Sequence, residues 1–317
     1  MTPNTARPRL RPGDLVEVRT AGEILATLDA NASLDDLPFM PEMLDFCGKR
    51  FRVVKRVEQF CTDGAPVATG ESRVRSFRND DVVLLEDVRC SGLQHDGCKR
   101  GCMIFWKEAW LRKVEEPSSP LQPASDGVAE LRARLRISSG PGIYFCQSSE
   151  LLKATNHLSG RQRIGNCFSG VLVGNYRLLE MAKLLAVWTW SRVRQRVAGV
   201  WPRGRQKSTP AESLDLQPGE WVEVKPLEAI IETLDERGKN RGLHFSADMV
   251  ARCGRQYRVR CRTDKLIAEG TGKVRQLRNT VILEGAVCDS SYYAFGGCPR
   301  GDFQYWREIW LRRVPTK

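Results

Sequence analysis

The sequence predicts a mainly β chain of the α+β class: two copies of one small, strongly curved module, joined by a partly helical connector. Three observations carry this expectation. Residues 11–56 and 217–262 align without a gap, "RPGDLVEVRTAGEILATLD" facing "QPGEWVEVKPLEAIIETLD" and "CGKRFRVVKR" facing "CGRQYRVRCR". Later stretches match in the same order, "VLLED" with "VILEG" and "FWKEAWLRKV" with "YWREIWLRRV", so resemblance by chance is excluded by the number of separated matches. Within each half, apolar and polar residues alternate in short runs between turn signals, as strands do.

Each element follows from local chemistry. "DLVEV" and "EWVEV" alternate directly after a Pro-Gly pair and read as strands. "EILATLD" and "AIIETLD" read as a short helix, and "PEMLDFCG" and "ADMVARCG" as a second, stopped by Gly48 and Gly254 at the C′ position. "RFRVVKR" and "QYRVRCR" alternate again. "RVRSFRNDDVVLLEDV" is expected to form a hairpin turning near Arg78-Asn79, and "EAWLRKV" to close the module as a last strand or a helix-to-strand segment. Four or five short curved strands around one core, with a helical insertion, resemble a small SH3-like β-barrel; the resemblance extends to strand pattern only and supplies no function.

The domains expected are a first module at 11–115, a Pro/Ser linker at 116–129, a connector at 130–201, a linker at 202–216 and a second module at 217–315. The connector holds the strand-like "GIYFC", a Gly-rich stretch, and a long helix in "NYRLLEMAKLLAVWTWSRVRQRV".

Composition narrows the function classes. A chain of 317 residues with 41% hydrophobic content can bury more than one core. No stretch approaches the ~20 apolar residues of a spanning helix, and no apolar segment follows the arginines of "MTPNTARPRLRPGD", so a cytoplasmic protein without a transmembrane segment is expected. Eleven cysteines is an odd number; in a reducing compartment they are thiols and metal ligands rather than a disulfide framework. The net charge of +12 divides as +1 over residues 1–114, +6 over 115–216 and +5 over 217–317. Such a chain attracts nucleic acid, anionic membrane or acidic partners.

The densest chemical signal is "CSGLQHDGCKRGC". Cys90, Cys98 and Cys102, with Cys61 brought to the same sheet edge, make a set of four soft ligands for one Zn2+ per chain in the first module, at about 2.3 Å per Zn–S bond; His95 is the alternative ligand. The second module keeps Cys288 and Cys298 but has Leu266 and Ile267 near the Cys61 position and Asp302 at the Cys102 position, so it is expected to be empty or to hold metal weakly. Cys47 and Cys253 match one another beside a helix end and are expected in the cores.

Cys146 and His157 are the residue types of nucleophilic catalysis, but no nucleophile elbow, C-x-x-C pair, Walker loop or dinucleotide fingerprint accompanies them. Arg258, Arg260 and Arg262 alternate along one strand and so share a face; with Lys273 and Arg275 on the next strand they suit phosphates, and Tyr292, Tyr293 and Phe295 suit base stacking. Residues 176–207 combine an apolar face with arginines and suit an anionic membrane surface. The expected function is a zinc-stabilised tandem-module protein binding an anionic macromolecule, nucleic acid foremost. The alternative is a metal- or cysteine-dependent enzyme with its site between the metal loop and the connector.

Overall fold

The computed structural model of the chain describes residues 9–62, 74–115, 126–199, 201–288 and 295–315. Gly13 takes φ +91°, and its N–H donates to Val53 O at 2.8 Å. The Pro-Gly turn therefore sets the chain directly onto β1 (Leu15–Val18). The helix α1 (Ala21–Leu25) follows because Thr20 and Glu23 form a reciprocal cap: Glu23 N donates to Thr20 Oγ1 at 3.3 Å and Thr20 N to Glu23 Oε2 at 3.1 Å. A two-strand ribbon, β2 (Ser33–Leu34) and β3 (Leu37–Pro38), leads into Pro41–Phe46. That segment, expected as a helix, is a 3-10 helix, and Gly48 beyond it takes φ +72° as its stop. The module continues with β4 (Arg50–Arg56), β5 (Phe60–Cys61), β6 (Val74–Phe77), β7 (Val82–Arg89), β8 (Met103–Lys107), a 3-10 turn at Glu108–Trp110 and β9 (Leu111–Lys113). An antiparallel sheet of order β8-β7-β4-β1-β9 curls into a half-barrel.

The connector holds α2 (Val128–Arg134), β10 (Ser138–Gly140), β11 (Ile143–Tyr144), α3 (Gln147–Glu150), β12 (Thr155–His157), α4 (Gly160–Leu172) and α5 (Leu178–Ala198). The Gly-rich stretch thus contains a 13-residue helix, α4, started by a Ser159–Gln162 capping box that outweighs its glycines. No helix among the described residues is long and apolar enough to cross a membrane.

The second module has the same element order: β13 (Trp221–Val224), α6 (Leu227–Ile231), β14 (Lys239–Asn240), β15 (Leu243–His244), a 3-10 helix at Ala247–Arg252, β16 (Gln256–Arg262), β17 (Lys265–Ile267), β18 (Val274–Gln276), β19 (Thr280–Val287), β20 (Phe303–Arg307), a 3-10 turn at Glu308–Trp310 and β21 (Leu311–Arg313). Its sheet order, β20-β19-β16-β13-β21, repeats the first. The cores correspond as well. Phe39 meets Trp106 and Trp110 edge-on at 6.3 and 5.3 Å, and Phe245 meets Trp306 and Trp310 at 6.1 and 5.2 Å. Each inner indole is satisfied in the same way, Trp110 Nε1 by Thr27 Oγ1 at 3.1 Å and Trp310 Nε1 by Thr233 Oγ1 at 3.0 Å. The 202–216 stretch, expected as a linker, is bound to this module: Gly204 N donates to Asp235 O at 2.9 Å, and Leu214 N and Leu216 N donate to Glu308.

The expected hairpin at Arg78-Asn79 does not form. β6 pairs with β5 on one side and with β12 of the connector on the other, while β7 pairs with β4 and β8. Two hairpins, β5–β6 and β17–β18, therefore stand outside their own half-barrels, and each reaches the cysteine loop of the other module. Cys61 N points to Cys298 Sγ at 3.4 Å and Ile267 N to Cys98 Sγ at 3.3 Å, and Cys61 and Ile267 are matched positions in the two modules. Arg300 donates to Cys61 O at 2.8 Å, and Lys99 N to Lys265 O at 3.2 Å. Ile267 and Cys298 belong to the first module's core cluster, so residues of the second module complete that core.

Candidate metal centre and thiol-lined cavity

The loop between β7 and β8 folds on itself: Cys90 N donates to Cys102 O at 2.8 Å, His95 N to Gly92 O at 3.0 Å and Cys98 N to His95 O at 3.1 Å. Gly92 at φ +69° makes the fold possible; a Cβ there would stand 2.1 Å from Cys98 O. The loop lies against the 3-10 helix Pro41–Phe46 below and the start of α3 above. This placement turns His95 inward until 1% of it is exposed, beside Glu42 at 5%.

Glu42, Cys90 and His95 offer ligand atoms that all lie within 4.8 Å of one another, a set that could hold a metal ion. His95 Nδ1 is 2.7 Å from Glu42 Oε1, and Cys90 Sγ is 3.9 Å from the same oxygen. On its other side, His95 Nε2 lies 3.0 Å from Phe145 O. A carbonyl only accepts, so Nε2 carries the proton and Nδ1 is the nitrogen turned to the acid and the thiol. Such a backbone partner is what orients a metal-ligating imidazole. Glu42 Oε2 is buried and has no hydrogen-bond partner among the described residues.

Electrostatics follow from burial. Burial opposes charge on His95, yet the hydrogen bond and charge of Glu42 outweigh it and raise the imidazole above its ordinary value. Burial, then the Glu42 charge, push the Cys90 thiol far up, so that without an ion it stays protonated.

The expected ligands divide between places. Cys90, Cys98 and Cys102 all line one cavity of about 30 Å³, together with His95, Cys146 and Arg100. Burial pushes Cys102 up to about 12 and raises Cys146. The three loop sulfurs share this wall but do not form a ligand-spaced group among the described residues; Cys98 Sγ is directed at Ile267 N. Cys61 is not at the site. It lies on β5, beside Cys298, because its hairpin left the barrel edge where the strand order placed it. Cys47 is buried, its thiol pushed up by burial to about 11, and Cys253 packs against the second core.

Glu42 was missed because acids are common at helix starts. One signal in the sequence pointed to it: the matched position of the second module is Asp248, also buried at 5%. A buried acid needs a partner. In the second module Gln304 supplies it, donating to Asp248 Oδ2 at 2.7 Å while accepting from Arg252 at 2.7 Å. The first module has Ile104 at the Gln304 position and brings His95 instead. Counted back from the matched Cys298, the His95 position holds Phe295, whose ring meets Trp188 at 4.9 Å, so no imidazole stands at that position of the second module.

The weak catalytic candidates are held by different neighbours. Cys146 N donates to Ser149 Oγ at 2.9 Å and the residue lines the cavity, whereas His157 on β12 lies against Arg75. The basic residues divide too. Arg258 and Arg260 are exposed on β16, Arg258 donating to Gly219 O at 3.1 Å and Arg260 stacked over Phe303 at 4.9 Å. Arg262 is a clamp, bonded to Asp215 at 2.9 Å, Leu216 O at 3.0 Å and Glu308 at 3.2 Å, as matched Arg56 is to Leu10 O and Glu108. Lys273 and Arg275 are exposed on the separate β17–β18 hairpin, so the five cations do not share one sheet. Tyr292 and Tyr293 lie outside the described residues.

No protein-family model, curated protein or solved structure matches the chain.

Proposed function

We propose that the chain is a non-catalytic, metal-stabilised protein of two SH3-like modules that binds an anionic macromolecule. The observation that carries it is the buried Glu42, Cys90 and His95 group, tied to the connector through Phe145 O. One nitrogen, one oxygen and one sulfur suit zinc, which accepts all three ligand types. Cys102 and Cys146 line the cavity beside Cys90 and His95 but stand outside the ligand-spaced group. The ion then fastens three elements distant in sequence: the 3-10 helix, the cysteine loop and the connector. The burial of Glu42 and His95 suits a site that serves cohesion rather than turnover.

The partner's sign follows from charge. The excess of +11 carried by residues 115–317 lies in the connector and the second module, facing outward at Arg258, Arg260, Lys273 and Arg275. Mass-spectrometric metal analysis of protein purified without chelator should find one zinc per chain, and chelation should lower the thermal midpoint. Binding of single- and double-stranded nucleic-acid probes should fall steeply with salt. Metal-free protein of unchanged stability, with no polyanion binding, would remove the reading.

A further inference from the structure

We infer that the α4–α5 helical pair is a docking surface for an anionic lipid bilayer. Among the described residues, eight of the twelve large apolar side chains that are exposed belong to these two helices. On α4, Ile164, Phe168 and Leu172 recur every fourth residue on one face and are 51, 69 and 80% exposed. On α5, Leu178, Leu179, Trp190, Val193 and Val197 are exposed. Core packing does not require them: α5 already buries Met181 and sets Trp188 against Phe295, and α4 buries Cys167 and Gly170 on its inner side. Helices apolar on a second, outward side mark a surface for something else.

Charge decides what that is. Residues 159–207 hold ten Lys/Arg and one Asp/Glu, a net of +9, and Arg161, Arg177, Arg192 and Arg196 are exposed on or beside the same helices. A second copy would bring +9 against +9. A nucleic acid would engage the arginines and leave Leu178, Leu179, Val193 and Val197 in water. An anionic bilayer meets both: the apolar side chains enter the acyl boundary while guanidinium groups stay at the phosphates. Arg194 already stacks on Trp201 at 3.4 Å, the pairing of cation and indole that suits a headgroup layer.

This deepens the anionic-partner reading and rests on it for the partner's sign. The test is co-sedimentation of the full chain with vesicles of phosphatidylcholine alone, or with roughly 30% phosphatidylserine, at low and physiological salt. Binding is expected only with phosphatidylserine. Phe168→Glu with Leu172→Glu, and separately Val193→Ser with Val197→Ser, should each weaken it by about tenfold or more, with circular dichroism and thermal midpoint unchanged. Two independent pairs on different helices keep the test decisive if one pair misfolds. Unchanged binding in both pairs overturns the inference. So does self-association without vesicle binding. Nucleic-acid binding without vesicle binding overturns the inference and leaves the anionic-partner reading standing; binding of neither overturns both.

Discussion

Arg100 and Arg300, matched positions in the two modules, donate to the same carboxylate oxygen, Glu269 Oε2, at 3.0 and 2.8 Å. All three side chains are buried, and Arg300 also meets Asp302 at 3.0 Å. The acid sits just after β17, so one residue of the exchanged hairpin neutralises a cation from each cysteine loop. Glu269→Ala should destabilise the chain by about 3–5 kcal/mol, because two guanidinium groups stay buried without their shared partner. Denaturant unfolding checks this, and a loss below about 1 kcal/mol would mean that water reaches the pair.

Metal binding should follow geometry rather than cysteine count. Glu42→Gln, Cys90→Ser and His95→Ala should each abolish bound zinc, whereas Cys98→Ser and Cys61→Ser should retain it. Zinc retained by the His95 variant but lost with Cys61 would restore the four-sulfur arrangement and discard the one described here.

The loop's closure can be probed at two glycines with nearly equal backbone angles. Gly92 takes φ +69°, and a methyl carbon added to it would stand 2.1 Å from Cys98 O; Gly142 takes φ +68°, and one added there would meet nothing within 4 Å. Ala at either position is strained, by about 1 kcal/mol. Gly92→Ala should cost several times as much as Gly142→Ala and should also weaken metal binding; equal costs would show that the loop moves freely.

Cys61 and Cys298 give a pH dependence. Burial pushes Cys298 up, but the Cys61 hydrogen bond and the Arg300 guanidinium outweigh it and bring it down to about 7 from 9. Cys61, the donor to Cys298 and half-buried, is raised. For a lowered acid the stabilisation is complete above the unfolded value of 9 and is lost as pH falls through 7. For the raised partner, stability declines above 9, where the unfolded thiol ionises and the folded one does not. The difference in unfolding free energy between wild type and Cys298→Ser should therefore grow from about pH 6 to about 8.5, by on the order of 2 kcal/mol, and level off or shrink beyond. A difference independent of pH would place no thiolate at Cys298.

Much of the architecture was legible in the residues. The Pro-Gly turns, the alternation in "DLVEV" and "RFRVVKR", the helix-ending Gly48 and Gly254 and the matched order of the two halves are local signals, and each sits where periodicity and turn chemistry put it. The cysteine loop and the basic helix were legible for the same reason. The α4 helix was obscured by its glycines although its Ser159–Gln162 cap was present.

What the chain alone determined is therefore the pair of modules, their strands and the loop that carries Cys90, Cys98, Cys102 and His95. Only the tertiary structure decided that β5–β6 and β17–β18 leave their own sheets, that Cys61 meets Cys298, and that Glu42 rather than a fourth sulfur faces His95. Strand pattern reports which side of a segment is buried but not against what, since both hairpins carry the same alternation in either placement. The choice rests on burying Ile267 and Glu269 between modules and on pairing buried charges from distant segments, energies that exist only once the two halves have met.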